Sequence, residues 1–151
     1  MNGQIRRARF FMKPLKRGEC FMKWREEALR LLKKAAQDEF VIDKLIDDPT
    51  APDEVLGFHA QQAAEKILKA VLANAGIAYP ITHRLAELID LINDSGLDFP
   101  DDLDDIRFLT PFAVEFRYDI LPEEQESPID RKTVRELLIR VRKWAEERIK
   151  P

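Results

Sequence analysis

The sequence predicts an all-α protein, an antiparallel up-and-down bundle of four to five helices. Apolar residues recur at three- and four-residue steps through most of the chain. No alternating, strand-like pattern runs longer than four residues. Nine prolines fall mostly between the periodic runs, where they punctuate helices rather than interrupt them.

The first helix is expected to start near Met22. Trp24, Ala28, Leu31, Leu32 and Ala35 mark its buried face, and Phe40, Val41, Leu45 and Ile46 carry it on after a slip near Gln37–Asp38. Asp47, Asp48 and Pro49 break it, and Pro52 is placed to open the next helix. That second helix reads from about Asp53 to Ala75. Leu56, Ala60, Ala63, Ala64, Ile67 and Val71 gather on one side, and the alanines allow a neighbour to approach closely. Gly76 is a natural left-handed stop.

Thr82 is expected to cap the third helix, whose stripe is Leu85, Leu88, Ile89 and Ile92. A fourth helix opens after Pro100, with Asp101, Asp102, Asp104 and Asp105 near its positive end. It continues through Leu103, Ile106, Leu109, Phe112, Ala113 and Phe116, and Pro111 should kink or split it. "DILPEEQESPID" reads as a polar loop. The last helix runs from about Asp130 to Ile149 on Val134, Leu137, Leu138, Val141, Trp144, Ala145 and Ile149.

The 151 residues suit one domain, with a basic arm over residues 1–21 and the bundle over residues 22–151. The arm lacks the apolar core of a signal peptide, so a disordered segment or a mis-called start codon is expected there. Cys20 is the only cysteine, which excludes an intramolecular disulfide and fits a cytoplasmic protein. With two histidines and one cysteine, no His/Cys zinc cage can form, and neither a metal nor a cofactor is expected. No apolar run approaches the roughly 18–20 residues of a membrane span, so no membrane association is expected.

Charge is unevenly spread: residues 1–37 carry +8, residues 38–130 carry −16 and residues 131–151 carry +5. The expected outcome is a set of helix faces attracted to one another across the bundle. The acidic runs "DDLDD" and "PEEQES" read as a helix start and a solvated loop rather than metal sites.

The second helix has a second face. Phe58, Gln62, Glu65, Lys69 and Leu72 line up opposite the alanine stripe, spaced 4, 3, 4 and 3. Two large apolar residues on that flank predict that it is covered, by another helix of the chain or by a second protein. His59 reads as a packing residue and His83 as a surface or loop residue.

Four segments resemble one family: "WREEALRLLKKA" at 24–35, "FHAQQAAEKILKAVL" at 58–72, "THRLAEL" at 82–88 and "FRYDI" at 116–120. Together they look like the HEPN domain (higher eukaryotes and prokaryotes nucleotide-binding), over about residues 22–149. The resemblance implies a bundle of four or five helices, often a homodimer. It also implies pairing with a small nucleotidyltransferase as a toxin–antitoxin couple. Active members are metal-independent ribonucleases that use an Arg followed four to six residues later by His, pairing a cation for phosphate with a proton carrier.

Arg117 matches the Arg, but residues 121–124 are "LPEE" and no histidine follows His83. The expected function is therefore a nucleotide- or RNA-associated component with a degenerate motif, Arg117 being the one catalytic candidate. Gln62, Glu65, Lys69, Arg117 and Tyr118 are the candidates for a nucleotide or partner cleft, and Phe58 and Leu72 for dimer or second-face packing. The tyrosine nucleotidylated in some relatives follows the motif His, so that role is not carried over to Tyr118. Two alternatives stand beside this reading. One is a ribonuclease using Arg117 with Glu65 or an acid of residues 121–126; the other is a non-catalytic RNA-binding or scaffold protein using the basic terminal helices.

Overall fold

The computed structural model describes residues 21–113 and 129–150. Its elements are α1 (Phe21–Leu45), α2 (Asp53–Asn74), α3 (Leu85–Asp94), a 3₁₀ segment (Asp101–Phe112) and α4 (Arg131–Ile149). Among the described residues every element is helical, and the architecture is an all-α bundle.

α2 is the centre. It packs on α1, α3, α4 and the 3₁₀ segment. Its small residues explain how it serves so many neighbours, since Ala60, Ala63, Ala64, Ala70 and Ala73 are essentially inaccessible to solvent. Trp24, Ala28, Leu31 and Ile42 of α1, with Leu138, Val141 and Ala145 of α4, join them in one core. The helix stops as the sequence implies. Gly76 adopts φ 71°, and the Ile77 N–H bonds back to the Leu72 carbonyl at 2.9 Å.

α1 is continuous, so the irregularity at Gln37–Asp38 is not a break in the helix. Asp38 and Glu39 are buried in mid-helix because each finds cationic partners there. Leu72, on the flank expected to be covered, is covered within the chain itself. It is fully buried, because a helix packed on by four elements has no wet face at that position. Thr82 does not cap α3, which begins later. The Thr82 hydroxyl accepts from the Arg84 N–H at 3.0 Å, while the Leu85 N–H is satisfied by the Thr110 hydroxyl at 3.2 Å.

The expected fourth α-helix is a 3₁₀ helix over its described length. Leu103, Ile106, Leu109 and Phe112 recur at every third residue, a spacing that eclipses side chains into one stripe at three residues per turn. Pro111, which lacks an N–H, sits in its last turn. The expected continuation to Phe116 lies outside the described residues.

The basic last helix is attracted to acids elsewhere in the bundle. Arg135 forks onto Asp43 at 2.6 and 3.0 Å and reaches Glu39 at 3.1 Å. Arg142 also bonds Glu39, together with the Leu32 carbonyl at 3.1 Å. Arg131 turns into the α1–α2 connection. It donates to the carbonyls of Leu45, Ile46, Asp48 and Ala51 at 2.6–3.3 Å and to Asp53 at 2.9 Å. α4 itself starts on Asp130, whose carboxylate accepts the Thr133 N–H at 3.1 Å. At the other end, Arg25 of α1 donates to the Ile149 carbonyl at 3.1 Å.

Candidate functional site

The middle of α2 carries polar groups where its neighbouring positions carry alanine and leucine. Gln61 is 0% exposed and Glu65 6%. Such burial is costly unless every polar atom finds a partner, and here the partners converge on one carboxylate. Lys69 donates to Glu65 Oε1 at 2.6 Å. Gln61 Nε2 donates to Oε2 at 3.0 Å, and His83 Nδ1 lies 3.0 Å from the same oxygen.

Gln61 ties the cluster together. Its amide also donates to the main-chain carbonyl of His83 at 3.0 Å. Its own Oε1 accepts from Gln62 at 2.7 Å, which fixes which way the amide faces. The i, i+4 spacing on α2 places Gln61, Glu65 and Lys69 along one line, and His83 arrives from the loop before α3.

Burial pushes the Glu65 carboxyl up, but the Lys69 ammonium and the hydrogen bonds from Lys69, His83 and Gln61 outweigh it. The net displacement is below the usual carboxylate range. Glu65 is therefore a charged group inside the bundle at neutral pH.

Beside this cluster lies a cavity of about 150 Å³ lined by Arg30, Leu31, Glu65, Lys66, Lys69 and Tyr79. Lys69 Nζ stands 5.7 Å from the centre of the Tyr79 ring. Burial pushes the Tyr79 hydroxyl well above the ordinary phenol range. Glu27 and Glu65 add to that push, and Arg30 opposes it. Arg30 is held at the cavity wall by a forked pair with Glu27 at 2.7 and 2.9 Å. Lys66 in turn is held by Asp38 of α1, which also lies 2.9 Å from His59 Nδ1.

Of the residues assigned to a nucleotide or partner cleft, Glu65 and Lys69 are joined directly, and Gln62 joins them through Gln61. Phe58 is half-buried, with its ring edge-on to His59 at 5.2 Å, whereas Leu72 is enclosed in the core. Arg117 and Tyr118 lie outside the described residues, and so does any relation between Arg117 and Glu65. The sequence reading missed Gln61 and His83. Gln61 carried a signal, since it stands four residues before Glu65. His83 stood in the quoted "THRLAEL" segment, but its contact with Glu65 forms only once the loop before α3 folds back onto α2. Among the described residues no three His, Cys, Asp or Glu side chains gather as a metal would require. No described helix is long and apolar enough to cross a membrane.

A helical bundle whose central helix buries a carboxylate among amide, ammonium and imidazole donors defines a class with a polar site in its core. The family profile of the HEPN domain matches residues 21–148, and the chain belongs to that family. Comparison with curated proteins and with solved structures gives no match.

Proposed function

We propose that this HEPN domain is the nucleotide- or RNA-associated partner of a small nucleotidyltransferase in a toxin–antitoxin type of couple. In this reading it works in the cytoplasm as a homodimer, with Arg117 the remnant of a motif whose histidine is absent.

The observation that carries the reading is the Glu65 cluster and its cavity. Arg30, Lys66 and Lys69 line a space of about 150 Å³ together with Glu65; each cation also pairs with a carboxylate, so an anionic group would share them with Glu27, Asp38 and Glu65. Enclosed ligand sites usually measure about 300–1,000 Å³. A phosphate fits the smaller volume, but a whole nucleotide would need a second surface to close over it. A second copy or a nucleotidyltransferase subunit would supply that surface.

Co-expression with the protein encoded by the adjacent reading frame, followed by affinity capture and light scattering, tests the proposal. The expected result is a stable complex with a nucleotidyltransferase, containing two copies of this chain. An unrelated neighbour that fails to bind would overturn it.

A further inference from the structure

We infer that the cavity beside Glu65 is a proton-coupled site for a dianionic oxyanion of sulfate or phosphate size, with His59 and His83 taking up the charge that its binding requires. The inference rests on the reading of that cavity as an anion site and goes beyond it by naming what regulates occupancy.

The cavity is electrically balanced before anything enters. Arg30, Lys66 and Lys69 line it. They pair with Glu27, Asp38 and Glu65, three cations against three carboxylates. An anion entering so small a space has to draw a lysine away from its carboxylate. The side chains of Asp38 and Glu65 are only 11% and 8% exposed, and a carboxylate left unpaired in such surroundings is strongly destabilising. A second cation has to replace the lysine.

The replacement is already in position, because each of the two carboxylates divides its oxygens between a lysine and an imidazole. Lys69 holds Glu65 Oε1 at 2.6 Å, and His83 Nδ1 lies 3.0 Å from Oε2. Lys66 holds Asp38 Oδ2, and His59 Nδ1 lies 2.9 Å from Oδ1. The chain has two histidines, and each completes a lysine–carboxylate–imidazole relay that ends at the same cavity. A carboxylate oxygen only accepts, so each neutral ring carries its hydrogen on Nδ1 and keeps a lone pair on Nε2. The side chains of His59 and His83 are 25% and 37% exposed, which gives a proton a route in from solvent. Once protonated, the ring becomes the cation facing the carboxylate, and the lysine is released toward the cavity.

Imidazole is the side chain whose ordinary charge change falls between about pH 5 and pH 8. His83 faces Glu65, with Lys69 on the other oxygen, and its neighbour Arg84 stands 3.9 Å from Glu87. His59 faces Asp38, with Lys66 on the other oxygen, and the edge of the Phe58 ring. At the cavity wall, Tyr79 is held well above the ordinary phenol range, mainly by burial, and stays neutral throughout. Glu65 is held below the usual carboxylate range and stays charged. The sign follows: lower pH favours imidazolium, and imidazolium favours the anion. By reciprocity, a bound anion raises the proton affinity of both histidines by the same factor.

The test titrates sulfate into the full chain by calorimetry, because sulfate keeps both charges across this pH range. Affinity should rise about tenfold for each histidine between about pH 8 and about pH 5.5, and Lys69→Gln should weaken it. Saturating sulfate should move the NMR titration midpoints of both imidazoles upward. His59→Asn and His83→Asn keep an N–H where Nδ1 stood but cannot become charged. Each should lose half of the pH dependence on a logarithmic scale, and the double variant all of it. Inorganic phosphate should displace sulfate, and tighter displacement by adenosine monophosphate would mark a nucleotide as the source of the oxyanion. Affinity independent of pH, midpoints that stay put, or pH dependence surviving in the double variant overturns this inference alone. Sulfate that fails to bind at any pH, or binds Lys69→Gln equally well, sinks the anion-site reading and this inference with it.

Discussion

Phe112 packs directly against the backbone of Gly57: a Cβ added at Gly57 would stand 2.4 Å from Phe112 Cδ1 and 2.6 Å from Cγ. The absence of a side chain on α2 is what lets the end of the 3₁₀ segment close onto the central helix. Gly57→Ala should gain up to about 1 kcal/mol of helix propensity and lose about 1–3 kcal/mol to overpacking. A net fall of a few degrees in Tm is expected by calorimetry, and a rise would show that the ring moves aside at no cost.

Arg131 gathers carbonyls that the end of α1 and the following turn leave without helical partners. Arg131→Ala should lower unfolding free energy by about 2–4 kcal/mol in urea titrations. Arg131→Lys keeps the charge but lacks the planar fork, and less than half of that loss should be recovered. Equal stability of the lysine variant and the wild type would show that charge alone matters.

Glu39 is buried and receives guanidinium groups from both Arg135 and Arg142. Burial works against the Arg142 charge, but Glu39 and Glu146 more than offset it and hold its guanidinium above its ordinary range. Glu39→Ala should cost about 3–5 kcal/mol, because it strands partly buried cations. Replacing Glu39 and Arg142 together with methionine should recover much of this, as measured by a double-mutant cycle.

Glu65 has a folded-state pKa below its ordinary 4.5, so its charge stabilises the fold at neutral pH. That contribution is fully present above about pH 4.5 and is lost as pH falls through the lower folded value. The stability gap between wild type and Glu65→Gln should therefore be constant from neutral pH down to about pH 5 and narrow below pH 4.5. A gap that narrows instead as pH rises above 5 would contradict the direction of the shift.

The helices with long apolar stripes were legible in the sequence, because α1, α2 and α4 repeat at helical spacing well beyond one turn. The 3₁₀ segment was not. Leu103, Ile106 and Leu109 at three-residue steps fit an α-helix nearly as well, and hydrogen-bond register rather than patterning separates the two. Leu72 marked a covered flank, but a wheel does not say whether the chain itself or a second protein covers it. Thr82 was misread because Thr110, twenty-eight residues further on, supplies the hydroxyl that α3 uses. Glu65 and Lys69 stood out as a pair four apart, but the His83 imidazole on Glu65 depends on where a loop returns.

The Arg25–Ile149 contact brings the start of the first helix and the finish of the last to the same pole. Dyes attached at Lys23 and Lys150 would therefore sit close together and exchange excitation efficiently. As urea separates the poles, that transfer should collapse along with helicity, giving a one-dimensional ruler for whether the bundle opens all at once or peels from this end.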